Sequence, residues 1–410
     1  MNSLNFVLDN IGTITLFLLV FTIVVSWLFR SKEFAIIRGV ILTVYSLVFV
    51  TIFGTLVSFI PPLIILLLYS LVFIDTLLLI RPKMQPLWVR IVINWPGQWF
   101  LGATIIAFPW ALWLVFFNNA DFLYVPYILG LIGILQNFRI SEESVVIDLN
   151  DNAQPSQLSR LELAPSRSNN NDTLQIIQLT DPHLGPYMSV ARLQHICKNA
   201  VDKQPDLILL TGDFLTMESK GSVQTLSQSL QPLKDYRGKV FACMGNHDYE
   251  APEIVKTALA NNNITLLIDE ALVVETRLGP VEVIGFDSHS KDRKTKLSNA
   301  IKSLPNKKNV IASIAMLHDP THLSDLPLAS HPIDLYLSGH THGGLMGLVS
   351  LGLKTTVISL FSKSPDHGLW GIDNTKLYVH RGTGHYGFPF RLGVPTEHSV
   401  IKVRLKKLLA

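Results

Sequence analysis

Apolar residues fill the first third of the chain in long, nearly unbroken runs, and after Arg139 they give way to short apolar runs separated by polar stretches. A bilayer-spanning helix needs about 20 mostly apolar residues. Five segments approach that requirement: Ile11 to Leu28, Gly39 to Val57, Pro62 to Ile80, Phe100 to Phe117 and Phe122 to Phe138. The pattern therefore predicts about five transmembrane helices within residues 1–140, an all-α membrane region. Pro61 and Pro62 cannot comfortably continue a helix, so a tight turn is expected between the second and third spans. Trp88, Trp95 and Trp99 are residues that favour headgroup depth, which places Arg81 to Trp99 at the interface.

Residues 141–172 read as a linker, because Asp148 to Asp172 is rich in Ser, Asn and Pro and lacks apolar periodicity. From residue 173 onward, LQIIQLT, DLILLTG and KVFACMG alternate with helical patterns near Val190 to Val201 and Val223 to Leu233. Such alternation predicts an α/β domain over residues 173–410. The later runs ALVVET, VEVIGF, NVIASIAML, DLYLSG, KLYVHRG and HSVIKVRL have fewer helices between them, which predicts a second, more antiparallel sheet.

Charge refines this division. Residues 1–139 carry seven Lys and Arg against four acids, which leaves 27 of each sign from the totals of 34 and 31. The neutral remainder argues against a nucleic-acid partner and weakens a nuclease reading. Arg30, Lys32 and Arg38 fall between the first two spans, and Arg81, Lys83 and Arg90 between the third and fourth. The positive-inside rule then puts these loops and everything after Arg139 in the cytoplasm. Asp75, inside the third span, is expected to snorkel or pair toward the Arg81 end. Cys197 and Cys243 are the whole cysteine complement, too few for a disulfide framework, and are expected to be buried and reduced.

Five short motifs fall where apolar strands end: Asp181-Pro182-His183, Gly212-Asp213, Gly245-Asn246-His247-Asp248, His318, and Gly339-His340-Thr341-His342. Residues i and i+2 of a strand share a side, so Asp181 with His183, and His340 with His342, are expected to aim at one place. Carboxylate, imidazole and amide oxygen, without thiolate, suit Mn, Fe or Zn in a hydrolytic site. Each residue alone is a common turn or core residue. Their conjunction, in order and each at a strand end, is what carries the metal reading.

This order resembles the calcineurin-like metallophosphoesterase superfamily, whose signature runs D-x-H, G-D, G-N-H-[DE], H and G-H-x-H. The resemblance covers roughly Leu174 to Val403, and the ending RGTGHYGFPFRLGVPTE resembles its membrane-associated bacterial branch. It implies a two-sheet β-sandwich flanked by helices, and two divalent ions (Mn, Fe or Zn, with Mn favoured). Asp181, His183, Asp213 and His342 would hold one ion, and Asp213, Asn246, His318 and His340 the other, with Asp213 bridging. It further implies cleavage of a phosphomonoester or phosphodiester by a hydroxide held on the metals, in a bacterial inner-membrane protein. His247 would protonate the leaving oxygen or stabilise charge on it, and Asp248 would orient the His247 ring.

Two departures from the superfamily pattern stand out: Pro182 where Leu is more usual, and Leu345 where Gln is common. Neither is a proposed ligand, though Leu345 bears on the pocket. Tethering raises the local concentration of membrane substrates, which points to a lipid-linked phosphoester beside a soluble nucleotide diester. The alternative is a membrane signalling or scaffold protein with a vestigial domain, which loss of a ligand or of the His247-Asp248 pair would favour; no such loss occurs. His195, His289, His322, His331, His367, His380 and His398 match no motif and are expected to be structural, while His385 sits in a loop expected near the site. The basic tail, Lys402 to Lys407, reads as a solvated strand end. Oligomeric state is left open.

Overall fold

A computed structural model of the chain describes residues 7, 9–150, 157–164, 172–287, 293–303, 309–325 and 331–406. His289 and Lys407 lie outside these residues. The chain forms two compact units, Met1–Gln136 with Gly387–Leu392, and Asn137–Tyr386 with Gly393–Ala410.

The first unit is helical: α1 (Ile11–Phe29), α2 (Lys32–Phe59), α3 (Pro62–Leu78), α4 (Trp95–Ile106), α5 (Phe108–Phe117) and α6 (Val125–Gln136). Among the described residues, only α1 and α2 are individually long and apolar enough to cross a membrane. A third span arises if Leu87–Ile106 and Phe108–Phe117, bent by 47°, count as one. The expected five full-length spans are thus not found. The fourth breaks where Pro109 enters, since its ring removes a backbone donor and crowds the preceding turn. Helix α3, 17 residues long, sits at the lower limit for a crossing, and α6, 12 residues long, falls below it. The expected turn at Pro61-Pro62 is present, with Pro62 opening α3, where its missing N–H costs nothing.

An aromatic cluster of Tyr45, Phe49, Tyr69, Phe73, Phe100 and Tyr127 fills the unit, with Phe49 and Tyr69 stacked at 4.5 Å. Asp75 accepts a 2.5 Å hydrogen bond from Asn94 Nδ2, so its partner is a neutral amide on the next hydrophobic stretch rather than the Arg81 end. Phe390 also belongs here. A methyl group on Gly133 would lie 2.4 Å from its ring, and one on Gly102 2.5 Å.

The second unit is α/β. One sheet runs β1 (Ile140–Asp148), β13 (Thr396–Arg404), β3 (Thr173–Leu179), β4 (Leu207–Leu210), β5 (Val240–Ala242) and β6 (Thr265–Leu266). The other runs β2 (Ser159–Arg160), β11 (Gly368–Ile372), β12 (Thr375–Val379), β10 (Leu335–Ser338), β9 (Ala312–Met316), β8 (Gly279–Gly285) and β7 (Glu270–Thr276). The second sheet is the more antiparallel, as expected, through β2–β11, β11–β12 and β7–β8, but its centre β12–β10–β9–β8 is parallel. Apolar side chains of both sheets, including Ile176, Leu209, Val283, Ile314 and Leu337, share one core. Helices α7 (Val190–Asp202), α8 (Val223–Leu230) and α9 (Pro252–Asn261) lie between successive strands of the first sheet in sequence.

The linker reading fails at its start. Residues 141–148 are strand, paired in parallel along their length with β13, and Ser159–Arg160 pairs with β11. Both cysteines are free and buried, as expected.

Candidate metal centre

Strands β3, β4 and β5 of one sheet are mutually parallel, as are β9, β10 and β12 of the other. Their C-terminal ends therefore deliver loops to a common edge, the place where open α/β sheets collect ligands. Asp181 and His183 follow β3, Asp213 follows β4, Asn246 and His247 follow β5, His318 follows β9, and His340 and His342 follow β10.

Six of these side chains gather into two groups, Asp181 with His183 and His342, and Asp213 with His318 and His340, each with its ligand atoms within 4.8 Å of one another. Asp213 Oδ2 joins the groups, lying 3.6 Å from His183 Nε2 and 3.2 Å from His318 Nε2. Asp181 Oδ1 stands 3.7 Å from His183 Nε2 and 3.5 Å from His342 Nε2. Asn246 is exposed beside them, on the loop that carries His247.

Strand alternation does not explain this convergence. Asp181, His183, Asp213, His340 and His342 all lie beyond their strands with φ between 45° and 68°, a left-handed backbone uncommon for side-chain-bearing residues. Such strain persists only where the surroundings impose it, and it clusters at functional sites. His340 and His342 consequently serve different groups rather than one. Missing side chains make room for the carboxylates. A methyl group on Gly339 would fall 2.1 Å from Asp181 Oδ2, and one on Gly245 2.1 Å from Asp213 Oδ1.

The chemistry of the donors tests whether a cation fits. His183 Nδ1 lies 3.1 Å from the Leu215 carbonyl and His318 Nδ1 2.6 Å from that of Thr211. A carbonyl only accepts, so each Nδ1 carries the proton, and each Nε2 lone pair faces carboxylate oxygens. Both Nε2 atoms are buried without a hydrogen-bond partner. Lone pairs directed at carboxylates repel unless a cation stands between them, and a carbonyl behind each ring is the arrangement that orients metal-ligating histidines. In the metal-free protein a proton takes that place. Burial opposes the imidazolium of His318, but the Asp213 carboxylate outweighs it and lifts it to about 10. Burial likewise opposes the charge of Asp181 and Asp213, yet His342 beside the first and His318 beside the second hold both well below the usual carboxylate range.

His247 stands half-buried at the edge. Its backbone N–H donates to Asp213 Oδ1 at 2.8 Å, and its Nδ1 lies 2.8 Å from Glu250 Oε1. Burial lowers its imidazole to about 4. The ring's carboxylate partner is thus Glu250, not Asp248. Asp248 is fully buried and accepts from the backbone N–H groups of Asp213, Phe214 and Gly245, each at 2.8 Å. Burial pushes its carboxyl up to about 7.

Sequence reasoning missed Tyr386. Its ring stacks on His183 at 4.7 Å and meets His247 edge-on at 4.6 Å. The signal was its place in the RGTGHYG loop, where attention fell on its neighbour His385, which packs on Tyr187 instead. Of the other motif-free histidines among the described residues, His331 faces Glu282, His322 faces Asp319 and His367 faces Asp366.

A two-sheet α/β unit with paired imidazole–carboxylate groups at its strand ends defines a metallophosphoesterase domain. The chain belongs to the calcineurin-like phosphoesterase family, whose description matches residues 174–344. It is 31% identical over 235 residues to a Helicobacter pylori metallophosphoesterase, covering 56% of this chain and 60% of that one. It is 32% identical over 238 residues to the metallophosphoesterase YkoQ of Bacillus subtilis, covering 55% and 81%. It is 26% identical over 234 residues to the phosphodiesterase YaeI of Escherichia coli, covering 56% and 82%. The chain thus spans about 60% of the length of the Helicobacter relative.

Proposed function

We propose that this protein is a membrane-anchored phosphohydrolase whose two side-chain groups hold a pair of divalent ions. The observation that carries it is Asp213 Oδ2, set within 3.6 Å of a histidine nitrogen from each group. Asp181, His183, Asp213 and His342 would hold one ion, and Asp213, Asn246, His318 and His340 the other. Divalent ions held there would neutralise charge on a phosphoryl group and supply an activated water at neutral pH.

The chain's own groups do the rest. The Leu215 and Thr211 carbonyls hold the His183 and His318 rings in the ligating tautomer. His247, half-buried beside Asp213, is placed to stabilise or protonate the leaving oxygen; burial keeps the free ring neutral, so its second proton must come in with the anionic substrate, helped by Glu250 at Nδ1. Asp248 fixes the Asp213 loop rather than the His247 ring. The donor set of carboxylate, imidazole and amide without thiolate suits Mn, Fe or Zn, and of these we take Mn as the favoured metal.

The likeness to a relative named a phosphodiesterase favours a diester, and the apolar helices favour a lipid-linked one, since tethering concentrates such substrates. The Lys and Arg after α1, after α3 and at Arg139 support a cytoplasmic side for the α/β unit, a reading that takes α3 and α6 to complete their crossings. The test is hydrolysis of bis-p-nitrophenyl phosphate and p-nitrophenyl phosphate by the full chain in detergent, stripped of metal and then supplied with Mn. Mn-dependent turnover, faster on the diester, is expected. No turnover of either ester by folded, Mn-loaded protein would overturn the proposal.

A further inference from the structure

The stretch that follows His342 carries an apolar surface for which the metal centre has no use. Among the described residues of the α/β unit, ten large apolar side chains are exposed. Six of them lie between residues 348 and 361: Leu348, Leu351, Leu353, Val357, Leu360 and Phe361. Leu351 is 75% exposed and Phe361 87%, more than any other apolar side chain of the unit. Soluble surfaces rarely concentrate apolar area in this way, and such patches mark contacts with protein or membrane.

The segment is built rather than frayed. Gly347 bridges Thr356, Leu348 N–H donates to Thr355 O at 2.8 Å, and Val357 N–H to Met346 O at 2.8 Å, which closes a hairpin. The Thr356 side chain caps the short helix α10 (Val357–Phe361) and also reaches Asp366. Ser350 N–H donates to Gly393 O at 2.8 Å, which ties the tip down. The backbone's polar groups are thus largely satisfied from within, a precondition for entering an apolar phase.

The composition names the occupant. Between Gly343 and Pro365 there is no Asp or Glu, and the charges are Lys354 and Lys363. Lys354 also pairs with Glu162. Apolar side chains with lysines and no acid match the acyl boundary and headgroups of an anionic bilayer, where long basic side chains reach back to the phosphates. The same chain carries two helices long and apolar enough to cross a bilayer. Gly393, the tip's anchor, follows in sequence directly on the stretch 387–392 that belongs to the helical unit.

We propose that the hairpin Met346–Phe361 docks into the surface of an anionic bilayer, with Leu351, Leu360 and Phe361 below the headgroups. His342 precedes it by four residues, so docking holds one side of the metal centre at the lipid surface. The test uses the full chain in nanodiscs containing phosphatidylglycerol, with a nitroxide on Leu351→Cys or Phe361→Cys, and on Glu253→Cys of α9 as the aqueous reference. Cys197 and Cys243 are buried and take no label, which the unsubstituted protein checks. Relaxation by oxygen, which enters the bilayer, should exceed that by a water-soluble nickel chelate at 351 and 361, and the order should reverse at 253. Nickel accessibility at 351 and 361 equal to that at 253 would overturn the proposal, because the patch then faces water. Exclusion of both reagents would also overturn it, because protein then covers the patch. The readout does not depend on catalysis, so it stands apart from the fate of the hydrolase reading.

Discussion

Asp248 holds the loop of Asp213 by its backbone: the buried carboxylate accepts from the Asp213 N–H at 2.8 Å, and from Phe214 and Gly245 at the same distance. Asp248→Ala leaves three buried donors unpaired, at about 1–3 kcal/mol each before relaxation. The variant should melt several degrees lower and lose metal at Asp213. Melting and metal content equal to those of the parent would show that the three bonds matter little.

Gly339 leaves no room for even one methyl group, which would overlap Asp181 Oδ2 and Thr180 Oγ1. Its φ is not in the left-handed region, so the backbone tolerates alanine and the collision falls on the carboxylate. Gly339→Ala should therefore cut turnover by on the order of 10² while leaving the α/β fold intact by circular dichroism, a 1 Å misplacement at the chemistry being enough for such a loss. Parent-like turnover would mean that Asp181 is free to move aside.

Tyr386 lies against both the proposed ligand His183 and the proposed acid His247. The contact is one of ring faces and edges, worth about 0.5–1.5 kcal/mol beyond burial. Tyr386→Phe should keep near-parent turnover, whereas Tyr386→Ala should lower it roughly tenfold, in proportion to that energy. Equal loss in both variants would instead assign the role to the hydroxyl.

His398 predicts the pH dependence of stability. Burial lowers its imidazole to about 4, with His380 adding to the effect. The unfolded chain takes up that proton near the ordinary value of about 6.5, and the folded chain does so only near 4. Stability conferred by the neutral ring is therefore complete above pH 6.5 and is lost as pH falls toward 4. Melting temperatures at pH 7.5 and 5 should differ more for the parent than for His398→Gln. Identical slopes would remove His398 from the acid response.

The candidate ligands that gather at the strand ends were legible because each motif couples a chemically specific side chain to a strand end, and the strands β3, β4, β5, β9 and β10 are short apolar runs. The backbone that aims those side chains was not legible, since Asp and His, though enriched in the left-handed region adopted by Asp181, His183, Asp213, His340 and His342, far more often lie outside it. Asp248 was misread for a similar reason: adjacency to His247 says nothing of a carboxylate that turns inward to three N–H groups. Strand β1 was hidden by Ser141, Glu142 and Glu143, exposed or half-buried at a sheet edge, and by a partner strand more than 250 residues away. In the helical unit, hydropathy marked the apolar runs, of which α1 and α2 form full-length helices, while Pro109 bends the fourth run at Ala107.

The central claim is that Asp213 joins two metal sites into one centre, and titration of Mn into the metal-free full chain by calorimetry tests it most directly. Two ions per chain are predicted for the parent, with Asp213→Asn losing affinity at both sites. Binding of a single ion, or two ions bound equally well by Asp213→Asn, would contradict it.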